Sequence, residues 1–143
     1  MTSSHHVSPS DDDLRLAIMR LSRRMRLERS TDAVTDTQLS VLFVLAKHGE
    51  QTLGSLSDHE RVTPPSMNRT VNALVEAGLV TRTSAPDDGR KVVIAATAAG
   101  GLIAQETRQR RQEWFARQLD GLNPKDRATL DAAASILRKL ADS

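Results

Sequence analysis

The sequence contains no cysteine, which excludes disulfides, thiolate metal sites and any cysteine-based redox switch. Its aromatic residues are Phe43, Trp114 and Phe115 alone, too few for the stacking platforms that hold single-stranded nucleic acid. The longest apolar run, residues 41–46, falls far short of the about 20 residues needed to cross a bilayer. Residues 1–13 are polar and acidic, without a basic segment followed by an apolar one, so no signal peptide is expected. A soluble, cytoplasmic protein without membrane attachment is the expectation. Also missing are a glycine-rich phosphate loop, a nucleophile–base motif and a histidine–carboxylate cluster at metal-binding spacing. No enzyme activity, cofactor or metal is therefore expected. His5 and His6 sit in a polar tail, and a zinc site built on His48 and His59 would lack two further ligands.

What is present fits one domain. The chain has 143 residues and a formal net charge of +2, so the distribution of charge matters more than its total. Arginine greatly outnumbers lysine, and its planar fork suits bases and phosphates. Residues 1–10 read as a disordered tail. From Asp11, the stripe Leu14, Ile18, Leu21 and Met25 predicts an amphipathic helix, its arginines forming a solvated face. Thr35 with Gln38 forms a capping box opening a second helix with Leu39, Leu42, Phe43 and Ala46 inward and Gly49 as its stop. A short third helix spans about Leu53 to Glu60.

The strongest start signal is Thr63-Pro64-Pro65-Ser66, a hydroxyl at the N-cap followed by proline at the first helical position. The helix it opens carries Met67, Val71, Leu74 and Val75 on one face, ends near Gly78, and bears Ser66, Asn68, Arg69, Thr70, Asn72 and Glu76 on another. The period then changes to two: 79–83 and 91–95 read as strands joined by a charged loop over 84–90. Thr97 caps a long helix to about Leu119, and Asn123-Pro124 opens a last one with Leu130, Ala133, Leu137 and Leu140 along one side.

This order is that of a winged helix-turn-helix: mainly α with a small β-hairpin, the terminal helices forming a dimerisation region. A helix with its side chains is about 10–12 Å across and fits a major groove about 12 Å wide. Its N-terminal turns meet the bases, so short polar side chains belong there. The helix N-terminus also favours a phosphate. The candidate DNA-binding residues are Thr63, Pro65, Ser66, Asn68, Arg69 and Asn72 on the helix, with Arg82, Asp88, Arg90 and Lys91 on the hairpin.

Over residues 11–142 the chain resembles the MarR family of bacterial regulators. Gln38-Leu39, Leu53-Gly54-Ser55-Leu56, the run from Ser66 to Arg82, Pro86-Asp87-Asp88-Gly89-Arg90-Lys91 and Ala96-Thr97-Ala98-Ala99-Gly100 carry the resemblance. It implies a single domain over 11–143, with a winged helix-turn-helix at about 35–97 and dimerisation helices at about 11–30 and 98–142. It further implies a homodimer on a pseudo-palindromic double-stranded operator, usually repressing, with Arg90 in the minor groove and Asp88 paired to Arg82. Gly89 stands where the family commonly has a basic residue, which weakens the wing's phosphate contact. Release by a small aromatic effector is common in the family, although the sequence nominates no pocket. The alternative is a winged-helix interaction module that has lost DNA binding; the retention of Arg69, Arg82, Arg90 and Lys91 argues against it.

Overall fold

Capping chemistry sets most of the helix boundaries. The computed structural model describes residues 4–85 and 88–143, and for residues 85 and 88–90 the backbone alone. The Ser8 hydroxyl accepts from Asp11 N–H at 3.2 Å while Asp11 Oδ2 accepts from Ser8 N–H at 3.1 Å. This capping box starts α1 (Pro9–Arg26) two residues before the expected Asp11; a serine- and histidine-rich composition hid a cap within a stretch that reads as tail. Thr35 and Gln38 close the expected box on α2 (Asp36–His48). Thr63, Thr97 and Asn123 cap α4 (Pro64–Glu76), α5 (Ala98–Asp120) and α6 (Pro124–Ala141), while Thr52 caps the short α3 (Leu53–Glu60).

The sheet is antiparallel, in the order β1 (Gln51–Thr52), β3 (Asp88–Ala96), β2 (Val80–Ala85). Thus the expected hairpin gains a third strand, two residues long, in which Gln51 pairs with Ile94 and Thr52 with Val93. The hairpin strands also run further than expected, with Ala85 pairing Asp88 after a register shift beyond Ser84. Thr81 to Ser84 are all exposed, so no alternation of polarity marks the outer ladder. Backbone pairing alone extends it past the turn-forming residues at which the expected strands stop.

Leu39, Val41, Leu42, Leu45, Leu56, Met67, Val71, Leu74, Val80 and Ile94 form the centre of one core beneath the helix-turn-helix and hairpin. On α2 the buried arc is rotated from the expected one: Val41 and Leu45 are inside, Phe43 is half-buried and Ala46 exposed. The rotation follows from packing on several sides, since α2 meets α3, α4, α5 and β3. At the far end of the hairpin, Thr97 Oγ1 donates to Gly78 O at 2.7 Å and accepts from Gly100 N–H at 3.2 Å. This seats the start of α5 on the junction between α4 and β2.

The terminal helices are packed differently. Along α5, Thr107 Oγ1 accepts from Ser30 N–H at 3.1 Å, and Arg111 Nε donates to Glu28 O at 3.1 Å, tying down the segment after α1. The Arg24 guanidinium lies 4.6 Å from the centroid of the Trp114 ring. Neither α1 nor α6 has a buried residue. The expected stripes survive as exposed surface, including Leu14, Ile18 and Leu21 on one helix and Leu130, Leu137 and Leu140 on the other. No helix among the described residues is long and apolar enough to cross a membrane.

Candidate nucleic-acid interface

Helix α4 presents one face to the core and the opposite one outward. Met67, Val71 and Leu74 are buried on it, but Val75 is 39% exposed rather than part of the core face. At about 100° per residue Val75 falls nearly a quarter-turn from Met67, beyond what the neighbouring elements cover. Opposite the buried stripe, Pro65, Arg69 and Asn72 are exposed, as is Thr63 at the cap. Ser66 and Asn68 are half-buried on the two flanks.

The start of α4 departs from the expected phosphate cradle. A helix leaves its first four N–H groups without helical partners, and these ordinarily receive anions. Here two of the positions are Pro64 and Pro65, which have no N–H. Ser66 N–H donates to Thr63 Oγ1 at 3.4 Å, and Met67 N–H donates to Thr63 O at 3.0 Å. Of the four orphan positions, two lack an N–H and Ser66 N–H is already bonded, so few amides are left for a phosphate; the helix dipole stays, and most direct contacts there must come from side chains.

Beside α4 runs β2, and the two are joined by a bond that sequence spacing did not announce. Arg82 Nη2 donates to Asn68 Oδ1 at 2.8 Å, linking residues 14 apart. Asn68 therefore turns toward the hairpin, although its residue type alone pointed to a groove-facing base reader. A signal for this exists only once β2 is known to lie along that flank of α4. Lys91 is exposed on β3. The side chains of Asp88 and Arg90 lie outside the described residues, as do Pro86 and Asp87 entirely, so the expected Asp88–Arg82 pair and the wing-tip arginine fall there too.

Two crevices separate the helix-turn-helix from the terminal helices, and Phe43 borders both. One, of about 300 Å³, is bounded by Arg26, Asp36, Thr37, Leu39, Ser40, Glu60 and Arg111. Within it Ser40 Oγ donates to Glu60 Oε1 at 2.6 Å, and the Arg111 guanidinium lies 5.4 Å from the Phe43 ring centroid. Burial, reinforced by the nearby Arg29 charge, lowers the Arg111 pKa from its ordinary value. The other crevice, of about 520 Å³, has Phe43, Ala46, Gly101 and Ala104 as its apolar lining and Lys47, Gln105 and Arg108 as its polar one. His48 and His59 line neither; they are exposed and stack on each other with ring centroids 5.4 Å apart. Among the described residues no group of three or more histidines and carboxylates could hold a metal ion.

The MarR family model matches residues 34–92, from the end of the α1–α2 connection into β3. An uncharacterized HTH-type transcriptional regulator of Mycobacterium bovis is 42% identical over 130 residues, spanning 91% of this chain and 91% of its own length. The HTH-type transcriptional repressor MdtR of Bacillus subtilis is 27% identical over 135 residues, with 92% and 85% covered. Among solved structures, a putative transcriptional regulator from Pseudomonas aeruginosa superposes with a TM-score of 0.80 at 29% identity, covering 92% of this chain and 94% of that one. Streptococcus pneumoniae FabT, solved in complex with DNA, shares the fold with a TM-score of 0.79 at 16% identity over 93% and 97% of the two chains.

Proposed function

The chain belongs to the MarR family of transcriptional regulators, which are DNA-binding proteins and not enzymes, and from that premise we propose that it acts in the cytoplasm as a homodimeric repressor. Two copies hold a pseudo-palindromic double-stranded operator, each laying α4 in a major groove and reaching a flanking minor groove with its hairpin. The observation that carries this reading is the division of α4: a fully buried stripe of Met67, Val71 and Leu74 against an exposed face with Arg69 and Asn72. Arginine can pair bidentately with guanine and asparagine with adenine. Repression is favoured by the relative named as a repressor, and DNA as partner by the neighbour solved on DNA.

The homodimer is supported by α1 and α6, whose large apolar side chains stay exposed in the single chain. Apolar stripes left uncovered along a helix favour association with a partner. Selecting genomic fragments with the purified protein tests the whole reading. An inverted repeat with half-site centres about 10–10.5 base pairs, or a multiple, apart is the expected product. A folded dimer that enriches no sequence would instead be a winged-helix interaction module.

The larger crevice is the proposed effector site. Phe43, Ala46 and Ala104 offer an apolar bed for a ring, while Lys47 and Arg108 supply cations for a carboxylate or phenolate. A small aromatic anion bound there would lie between α2 and α5, which connect the DNA-reading and terminal regions. It releases DNA if it favours a dimer with wrongly spaced reading helices. Titrating benzoate-class anions against the operator complex tests this, with Arg108→Ala expected to blunt the response.

A further inference from the structure

Asn68 occupies a position that base reading alone does not explain. At about 100° per residue it lies about a quarter-turn from Met67, between the buried stripe and the outward meridian of Arg69. It is half-buried, whereas Arg69 and Asn72 are exposed. Its side-chain oxygen accepts from Arg82 Nη2 at 2.8 Å. Arginine only donates, so the partner atom must be the amide oxygen of Asn68 and not its nitrogen. Reading adenine requires that same oxygen to accept from the base while the amide nitrogen donates to it, both in the plane of the base edge. With the oxygen turned to β2, such a contact would first have to break a charge-assisted bond, a class about twice as strong as a neutral one.

We propose that Asn68 is a positioning residue: it holds the Arg82 guanidinium against α4 and makes the reading helix and hairpin one rigid unit, leaving Arg69 and Asn72 to read bases. The proposal rests on the operator-binding role of α4. Its consequence is geometric. The hairpin leaves α4 through a turn at Gly78, whose φ is +74°; at Arg82, paired with the buried Ile94, the sheet is still three-stranded, and past the Thr83–Val93 pair β2 and β3 continue as a two-stranded arm. A two-stranded ribbon is marginally stable without outside support. The Asn68–Arg82 bond ties the root of that arm to α4, and so sets the angle between the element in the major groove and the one aimed at the minor groove. A guanidinium has five N–H donors, and this bond occupies only one of them.

Two measurements decide the matter. In the free full-length protein, nitrogen-15 NMR of the arginine side chains should show restricted guanidinium rotation at Arg82 and fast rotation at Arg69. Asn68→Ala should release Arg82, and Asn68→Asp, which keeps an acceptor, should restore the restriction. On a selected operator, Asn68→Ala and Arg82→Ala should each weaken binding about tenfold, and the double variant also about tenfold instead of about a hundredfold. Asn68→Ala should leave the ranking of bases at every operator position unchanged. Free rotation of Arg82 in the wild type overturns the proposal, as do additive losses with a base preference lost at one position. If the wild type binds no duplex at all, the operator reading fails, and the free-protein spectra still decide whether Asn68 holds Arg82.

Discussion

Gly100 packs directly against the backbone of Leu79: a Cβ built on Gly100 would overlap the Leu79 carbonyl oxygen and approach Leu42 Cδ2 to 3.1 Å. The same carbonyl accepts from Thr97 N–H at 3.0 Å, so it cannot easily move away. Gly100 is thus the point at which the first turn of α5 touches the start of the hairpin.

Gly100→Ala should therefore destabilise the fold by about 1–3 kcal/mol, the usual range for overpacking a tight site. Gly101 is the matched control, because a Cβ there meets nothing within 4 Å. Gly101→Ala removes a helix-interior glycine and should stabilise by up to about 1 kcal/mol. Urea denaturation of both variants at one fixed protein concentration checks the opposite signs.

Much of this architecture is legible in residue order. Thr35 with Gln38, Thr63 with Pro64, Thr97, and Asn123 with Pro124 mark helix starts locally, because a cap involves a few adjacent residues. Features made by distant parts of the chain are not legible in this way. The β1 strand is two residues long and exists only because β3 runs beside it. The burial of Val41 and Leu45 depends on how several neighbours surround α2. At the candidate interface, the outward placement of Arg69 and Asn72 follows from helical period, while the turning of Asn68 toward Arg82 depends on where β2 lies. The loss of amide donors at the start of α4 was present in Pro64-Pro65, since proline carries no N–H.

The apolar stripes of α1 and α6 predict a dimer that depends on the last helix. Leu130, Ile136, Leu137 and Leu140 are exposed on α6, and none of its residues is buried. Deleting residues 124–143 should yield a monomer or an insoluble chain with weakened operator binding. Sedimentation velocity checks it, and a deletion variant that remains a soluble dimer would move the interface elsewhere.

Acid should loosen the start of α1. Hydrogen bonds from the Ser8 backbone and side chain hold the Asp11 carboxyl below its ordinary pKa. A depressed carboxyl contributes stability above its unfolded pKa and loses that contribution as pH falls through the folded value. The Ser8 and Asp11 amide resonances should thus shift together at a pH below the ordinary carboxylate range. Asp11→Asn should remove that transition while leaving the α2 capping box unaffected.

The wing predicts a different failure from that of the reading helix. Arg90 is positioned by sequence near the hairpin tip, and a guanidinium there can enter a minor groove about 6 Å wide. Narrow A·T-rich grooves concentrate negative potential, so the arginine senses width more than base identity. Arg90→Ala should weaken operator binding broadly, reduce its dependence on salt and abolish any preference for A·T flanks. Affinities across a salt series on A·T- and G·C-flanked operators check all three.

The outward face of α4 is the centre of the account, and Arg69 and Asn72 are exposed polar residues on it. The most direct test measures Arg69→Ala and Asn72→Ala by fluorescence anisotropy against the selected operator and every single-base-pair variant of it. Each substitution should cost about 1–3 kcal/mol on the operator and erase discrimination at one or two base pairs per half-site, leaving the other positions as selective as in the wild type. Wild-type discrimination at every position in both variants would contradict the account, because α4 would then not be the element that reads the sequence.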